Sequence, residues 1–477
     1  MDSDIGALTI IFTEFYYWIT VVIMFLIHIG FCMYEVGASR TKNMMHTLMK
    51  NTMLIPLVTI TFFFFGWWIY FAFPNGPFIY QGQGLIAAPN AVPWSELMGP
   101  HLGGAPATAA LTAEDTALWA RINGVFWAAF LLFSWTAASI VSGAVIERIR
   151  SFAFWAVAVL IGSVTWIIDA AWGWHYDGWM VKLLGYHDAY ASGVIHAIAG
   201  GTALGVLVHL GPRIGKFRAD GTARNIVPHN PWLVTIGLFL IYTGFWGFYV
   251  ACNVPIIGAA DIGAQGATFT ATTIYLTPTT LSAITVNFLM SLSGGLLTGY
   301  IISKGDAFWT YSSGLAGIIA ASAGNDLYHP IQAMIIASVG VVFMYKLQFW
   351  VERTFKVDDA VGAVAVHGYA GFYGVVVAGF VLWGTPSSGF EGYAAINPLG
   401  QLLGAVIMFW VLGFLPAWVL CGIFKALGVL RIPREIELVG LDIAEYHGRY
   451  LDEDDVRQAE LKEAAAAGVI RQPATGD

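Results

Sequence analysis

Apolar residues run along this chain in long blocks. About 20 consecutive apolar residues suffice for a helix that crosses a bilayer. Eleven blocks approach or exceed that length, at about 13–36, 50–73, 119–145, 151–172, 189–211, 232–252, 275–302, 307–324, 329–350, 360–384 and 396–428. Residues 74–118, with Pro74, Pro77, Pro93, Pro100 and Pro106, read as a loop. From about 429 the chain turns polar and charged, and 455–466 has the pattern of a short helix. The pattern predicts an all-α integral membrane protein, with residues 1–428 as the membrane domain and 429–477 as a tail.

Composition agrees. Of 477 residues 57% are apolar and only 11% are charged, against ~25% in soluble domains. The three cysteines, Cys32, Cys252 and Cys421, fall in apolar runs and form neither a disulfide framework nor a zinc spacing. No nucleotide loop, metal cluster or nucleophile motif is legible. The expectation is a protein that is not an enzyme, needs no cofactor and binds no nucleic acid.

Where the charges fall says more than the net −8. With eleven spans, 20 of the 22 Lys and Arg lie on one side, and only Arg121 and Lys182 on the other. Basic loops face the cytoplasm, so the N-terminus is expected outside and the C-terminal tail in the cytoplasm. The expected location is a cell membrane, the bacterial inner membrane.

One pattern occurs twice. Asp188-Ala-Tyr-Ala-Ser-Gly-Val-Ile-His196-Ala-Ile-Ala199-Gly200 returns as Asp359-Ala-Val-Gly-Ala-Val-Ala-Val-His367-Gly-Tyr-Ala370-Gly371. The copies fall on the fifth and tenth blocks. Five spans is an odd number, so the two halves, about 13–211 and 232–384, are inverted repeats, with the eleventh span as an extra. Asp188 then starts its helix from outside and Asp359 from the cytoplasm. Eight helical residues rise roughly 12 Å, so both histidines reach the midplane of a core about 30 Å thick.

These features resemble the ammonium transporter family (Amt/Mep/Rh). Gly37-Ala-Ser-Arg40-Thr-Lys42-Asn43 is similar to the family's Gly-x-x-Arg-x-Lys-Asn, and Gly143-Ala-Val-Ile-Glu147-Arg148 to its Gly-Ala-x-x-Glu-Arg. The two histidine segments resemble its two pore segments. Gly440-Leu-Asp442-Ile-Ala-Glu-Tyr-His447-Gly resembles its cytoplasmic Gly-Leu-Asp…His-Gly motif, with one extra residue. The resemblance implies a homotrimer in the lipid bilayer with one pore per subunit. It also implies an outer aromatic recruitment site, stacked phenylalanines and twin histidines below them. Carried over residue by residue, His196 and His367 are the twin pair and Phe133 and Phe248 the pore phenylalanines. Trp174 is the recruitment tryptophan, and Asp188 is the acid supporting the outer site.

The departures fall at the outer mouth. Cys252 stands where the family has serine, Tyr249 where a small or polar residue is usual, and Ala129 at the outer phenylalanine, with Phe130 adjacent. A histidine position is Ala171, and an unusual acid is present, Asp169. Asp169, Trp172, Trp174, Asp177 and Trp179 predict an acidic, aromatic mouth. Plainer readings stand beside these. Asp188 and Asp359 can be helix caps, the tryptophans an interfacial belt and Cys252 a small filler. The expected substrate is ammonium or methylammonium. The alternatives are a bulkier methylated or quaternary amine, favoured by the aromatic mouth, and an ammonium sensor. A cytosolic regulator acting through the tail stays open.

Overall fold

The computed structural model describes residues 2–77, 91–94, 116–175, 177–256, 270–273, 278–388 and 392–445. Most of the 74–118 loop, the helix expected over 455–466 and His447 lie outside these residues.

The long helices are α1 (Asp2–Ala38), α2 (Thr41–Ala72), α3 (Thr116–Ala144), α4 (Ser151–Gly173), α5 (Ser192–Leu210), α6 (Pro231–Ala251), α7 (Leu281–Ile302), α8 (Ala307–Ser322), α9 (Pro330–Phe355), α10 (Val364–Val381) and α11 (Pro398–Ala426). Among the described residues ten helices are long and apolar enough to cross a membrane. The remaining one, α8, has 16 residues, ~24 Å of helix against a hydrocarbon core of ~30 Å. Every residue of α8 from Ser312 to Ser322 is buried, and it packs against α7, α9 and α10.

The outer helices show why the apolar blocks are continuous. On α1, Tyr17, Met24, Ile27 and Phe31 face the interior, while Phe15, Trp18, Val22, Phe25 and Ile29 are exposed. Both faces are apolar because one meets protein and the other suits lipid. α5 is different, with buried residues on all sides. It runs through the centre of the bundle, against α3, α10 and α11.

The structure adds two features to the all-α fold. First, one small sheet lies between α6 and α7: β1 (Asn253–Ile256), β2 (Thr270–Thr273) and β3 (Pro278–Thr279) form an antiparallel sheet in that order. This sheet displaces the start of the seventh expected helix from 275 to Leu281. Pro278 has no N–H to give to a helix interior. Thr280 then caps α7, its side chain accepting from Ala283 N at 3.1 Å. Second, the start of the tail is anchored to the helix ends. Residues 434–445 form α12 (Arg434–Val439) and α13 (Leu441–Glu445). Asp442 accepts from Met45 N and His46 N, both at 2.9 Å, at the start of α2. Lys42 Nζ donates to the carbonyls of Glu437 and Leu438, and Glu437 accepts from Ile214 N.

Candidate functional site

Both histidines sit in π-helical turns, Ser192–Ala197 opening α5 and Val364–Tyr369 opening α10. Such turns are rare and concentrate at functional sites. Each turn starts from an aspartate cap. Asp188 Oδ2 accepts from Gly193 N (2.7 Å), Val194 N (2.9 Å) and the Tyr186 hydroxyl (3.1 Å). Asp359 accepts from Ala363 N (2.9 Å) and Val364 N (2.7 Å). The helices therefore begin later than the sequence pattern suggests, because the N–H groups that an earlier start would leave orphaned are satisfied by the caps.

α5 and α10 cross on glycine. A Cβ on Gly200 would lie 2.1 Å from Gly368 Cα, and one on Gly371 would lie 2.2 Å from the Ser192 carbonyl oxygen. This close approach brings His196 Nδ1 within 3.1 Å of His367 Nδ1. One ring must donate and the other accept, so a single proton is shared between them. His196 Nε2 is buried and has no hydrogen-bond partner among the described residues.

An aromatic column leads to this pair. Trp174 lies 5.2 Å from Phe133, Phe133 stands edge-on to Phe248 at 4.8 Å, and Phe248 stacks on His196 at 5.7 Å. All four are fully buried. Beyond, Phe31 lies 6.3 Å from His367. Phe130, the neighbour of Ala129, stands edge-on to Phe133 at 5.9 Å and lies 6.4 Å from Trp174. Trp174 is fixed by its Nε1, which donates to the Asp188 carbonyl at 2.7 Å. Phe133, Phe248, Trp174, Asp188 and both histidines are thus brought together.

The other expected mouth residues are not part of that group. Tyr249 is stacked on Tyr190 at 4.2 Å, and its hydroxyl meets Ser322 at 2.6 Å and Asn325 at 3.1 Å, so it is turned toward α8. Cys252 is buried and its thiol donates back to the Phe248 carbonyl at 3.3 Å. Asp177 is paired with Lys182, which removes much of the acidity expected of the mouth. Trp172 packs edge-on to Trp179 at 5.7 Å. Asp169 is fully buried on α4 and neither carboxylate oxygen has a partner among the described residues; its charged neighbour is Asp188.

Burial acts in the same direction on the two caps. Burial pushes the Asp188 carboxyl above its ordinary range, and the N–H donors and Tyr186 only partly offset this. Burial likewise raises Asp359, to about 6. Its neighbour Asp358 goes the other way. Burial would raise it, but Arg148 and Arg213 outweigh burial and hold it well below the carboxylate range.

Three features escaped sequence reasoning. Phe245 stacks on His196 at 5.6 Å; its spacing of three from Phe248 was the available signal, since i and i+3 share a helix face. His187 forms a buried pair with Asp326 at 3.0 Å. Burial pulls the His187 imidazole down, yet the Asp326 carboxylate more than offsets it and the net shift is upward. Glu35 and Lys50 form a buried pair between α1 and α2.

A buried ring column ending on two imidazoles that share a proton suits a small solute able to give up and take back one proton. Residues 14–450 match the family model described as Ammonium Transporter Family. The chain is 30% identical over 434 residues to ammonium transporter Amt2 of Methanocaldococcus jannaschii, covering 89% of this chain and 88% of that protein. It is 29% identical over 448 residues to ammonium transporter Amt2 of Archaeoglobus fulgidus, covering 87% and 83%. Among solved structures it resembles a sensor Amt protein, with a TM-score of 0.71 at 23% identity over 92% of this chain and 99% of that one. It also resembles Mep2 of Saccharomyces cerevisiae, with a TM-score of 0.64 at 17% identity over 89% and 88%. The structural likeness carries the fold, and the sequence match carries the membership: this multi-pass membrane protein belongs to the ammonium transporter family.

Proposed function

We propose that the chain moves ammonium across the membrane through the line Trp174–Phe133–Phe248–His196–His367. The observation that carries this reading is the 3.1 Å contact between the two imidazoles at the end of the aromatic column. A free ammonium ion in an apolar interior is costly unless its charge is compensated or removed. Ring faces at the outer end attract the cation, each worth ~0.5–2 kcal/mol. Because Trp174 is enclosed, Phe130 and its neighbours part to admit the ion. The apolar column then favours the neutral amine. The histidine pair accepts hydrogen bonds from it and passes the proton. Potassium has no proton to surrender and is refused.

The same reading takes the subunit as eleven spans in two inverted repeats, with α8 as the short eleventh and α11 as the unpaired one. The assembly is a homotrimer, with the N-terminus outside and the tail in the cytoplasm, where a regulator can reach it. The mirrored Asp-to-His geometry of α5 and α10 and the one-sided distribution of Lys and Arg support this arrangement.

The test is transport in proteoliposomes, read as ammonium-evoked current and as potassium leak. The wild type is expected to carry ammonium and refuse potassium. His196→Ala and His367→Ala should insert normally but lose ammonium current at least tenfold or admit potassium. Both variants transporting at wild-type rate with potassium still refused would sink the histidine mechanism.

A further inference from the structure

The region beyond His367 holds chemistry that the aromatic column does not use. Glu35 on α1 and Lys50 on α2 are both fully buried inside membrane-crossing helices, 3.8 Å apart. Ionisable residues in that setting are costly and mark ion or proton pathways. Each oxygen of the Glu35 carboxylate accepts one hydrogen bond, which leaves acceptor capacity on both. Ser142 Oγ donates to Oε1, and Asn51 Nδ2 donates to Oε2 at 2.8 Å. Lys50 Nζ also donates to the Ser142 carbonyl at 2.6 Å, tying α2 to α3.

Glu35 also faces a cavity. That space is lined by Phe31, Tyr34, Glu35, Gly143, Ser312 and His367, among others. Its volume is about 10 Å³, which is room for about one water. Glycine at 143 keeps the space open, since a Cβ there would lie 2.5 Å from the Val361 side chain and 3.4 Å from Glu35 Oε1. A titratable imidazole and a buried carboxylate thus share one water-sized cavity on the far side of the pore from Trp174.

We propose that Glu35 is the proton acceptor beyond the histidine pair. The proposal rests on the twin-histidine reading above. The imidazolium gives its N–H proton to the cavity water, and the water gives one of its own protons to the Glu35 carboxylate. The imidazole is left neutral, the water is unchanged and Glu35 is a carboxylic acid. Ammonia leaving the pore then takes that proton, forming ammonium and restoring the carboxylate. Lys50 supplies the positive charge that keeps the carboxylate in the membrane between turnovers. The titratable groups facing Glu35 are Lys50, Tyr34, Cys32 and, across the cavity, His367.

The experiment is ammonium-evoked current in proteoliposomes across pH, in H2O and D2O. Glu35→Gln keeps the shape and removes the acid. It is expected to cut the current at least tenfold and abolish the slowing in D2O, in protein that elutes like the wild type. Glu35→Asp, with the acid one methylene further back, should recover part of the current with a displaced pH profile. Current and pH profile within twofold of wild type in Glu35→Gln overturn the relay and leave a structural ion pair. If Glu35→Gln does not insert, Glu35→Asp decides: wild-type current and profile there overturn it too. His196→Ala in the same vesicles separates the two failures. If that variant conducts normally the histidine mechanism has fallen, and if it is dead while Glu35→Gln conducts, only the relay has.

Discussion

The segments Asp188–Gly200 and Asp359–Gly371 are built alike and set in unlike surroundings. Each has an aspartate cap, a π-helical turn and a histidine, and the histidines meet. Around Asp188 the supporting pair is His187 with Asp326, and the nearby rings belong to Trp174, Tyr186 and Tyr190. Around Asp359 the support is Asp358 gripped by Arg213, through Nε at 2.9 Å and through Nη2 at 3.0 Å, with Arg148 behind it. A sequence pattern therefore fixes the local device, while its neighbours decide what that device withstands. The Asp188 copy leans on a base that can lose its charge, and the Asp359 copy on guanidiniums that cannot.

The largest expected effect tests that contrast directly. Asp358→Ala leaves Arg213 and Arg148 without their main counter-ion in a buried site, and should cost about 3–5 kcal/mol. Asp326→Ala removes the corresponding partner of His187, which can shed its proton and stay neutral, so the cost should be only ~1–2 kcal/mol. Chemical denaturation in detergent, with both variants compared against wild type, measures the difference. Equal losses would mean that the two supports are equivalent and the contrast is superficial.

A second test exchanges stability for transport. Asp188→Ala and Asp359→Ala each remove a helix cap, worth about 0.5–2 kcal/mol, and the losses should be similar. Only Asp188→Ala should also raise the apparent KM for ammonium, because losing the carboxylate releases Gly193 N, Val194 N and the Tyr186 hydroxyl and so loosens the turn whose main-chain carbonyl at 188 fixes Trp174 Nε1. An unchanged KM in protein that inserts would reduce Asp188 to a cap.

pH separates the halves further. His187 has its affinity for a proton raised on folding, so its contribution is complete below pH 6.5 and fades as pH rises through its folded value. Asp358 is lowered on folding, so its contribution is complete above pH 3.8 and fades only as pH falls through its folded value. Hydrogen exchange, corrected for intrinsic rates, should therefore show residues 185–192 loosening progressively as pH rises above 6.5, while 357–363 changes little further once pH is well above the value of about 6 at which Asp359 ionises. Loss of protection at both segments together would contradict the assignment.

Sequence reasoning read the fold well where one rule dominated. Continuous apolar blocks gave the helices, and the repeated Asp…His pattern gave the central pair and its caps. It failed where a contact between distant segments overrides local pattern. Pro278 and Thr280 turn an apolar-looking stretch into a strand and a cap. Tyr249 was placed in the mouth by its position in the chain, but stacking on Tyr190 turns it toward α8. Asp177 reads as free acidity in the sequence, but Lys182 pairs with it in the structure. Glu35 and Lys50 are 15 residues apart in sequence and became a pair only once α1 and α2 packed together.

The smallest expected effect concerns the substrate's size. Of the mouth departures, Tyr249 has its ring engaged by Tyr190, which leaves Cys252 and Asp169 to act. The Cys252 thiol already donates to the Phe248 carbonyl on the last turn of α6, beside the ring that stacks on His196. A serine oxygen accepts a hydrogen bond from N–H well, whereas a thiol sulfur accepts weakly. The exchange costs little for a cation with few N–H groups, and ring faces favour methyl-bearing cations. Methylated amines should therefore compete with ammonium for uptake, and Cys252→Ser should shift the preference toward ammonium by about two- to fivefold, the worth of ~0.5–1 kcal/mol. Competition with mono-, di- and trimethylamine and choline, before and after the substitution, measures it. No competition by any of the four, together with an unchanged ammonium affinity in Cys252→Ser, would make Cys252 a filler of the α6 turn and leave the difference between the two halves without a role in choosing the substrate.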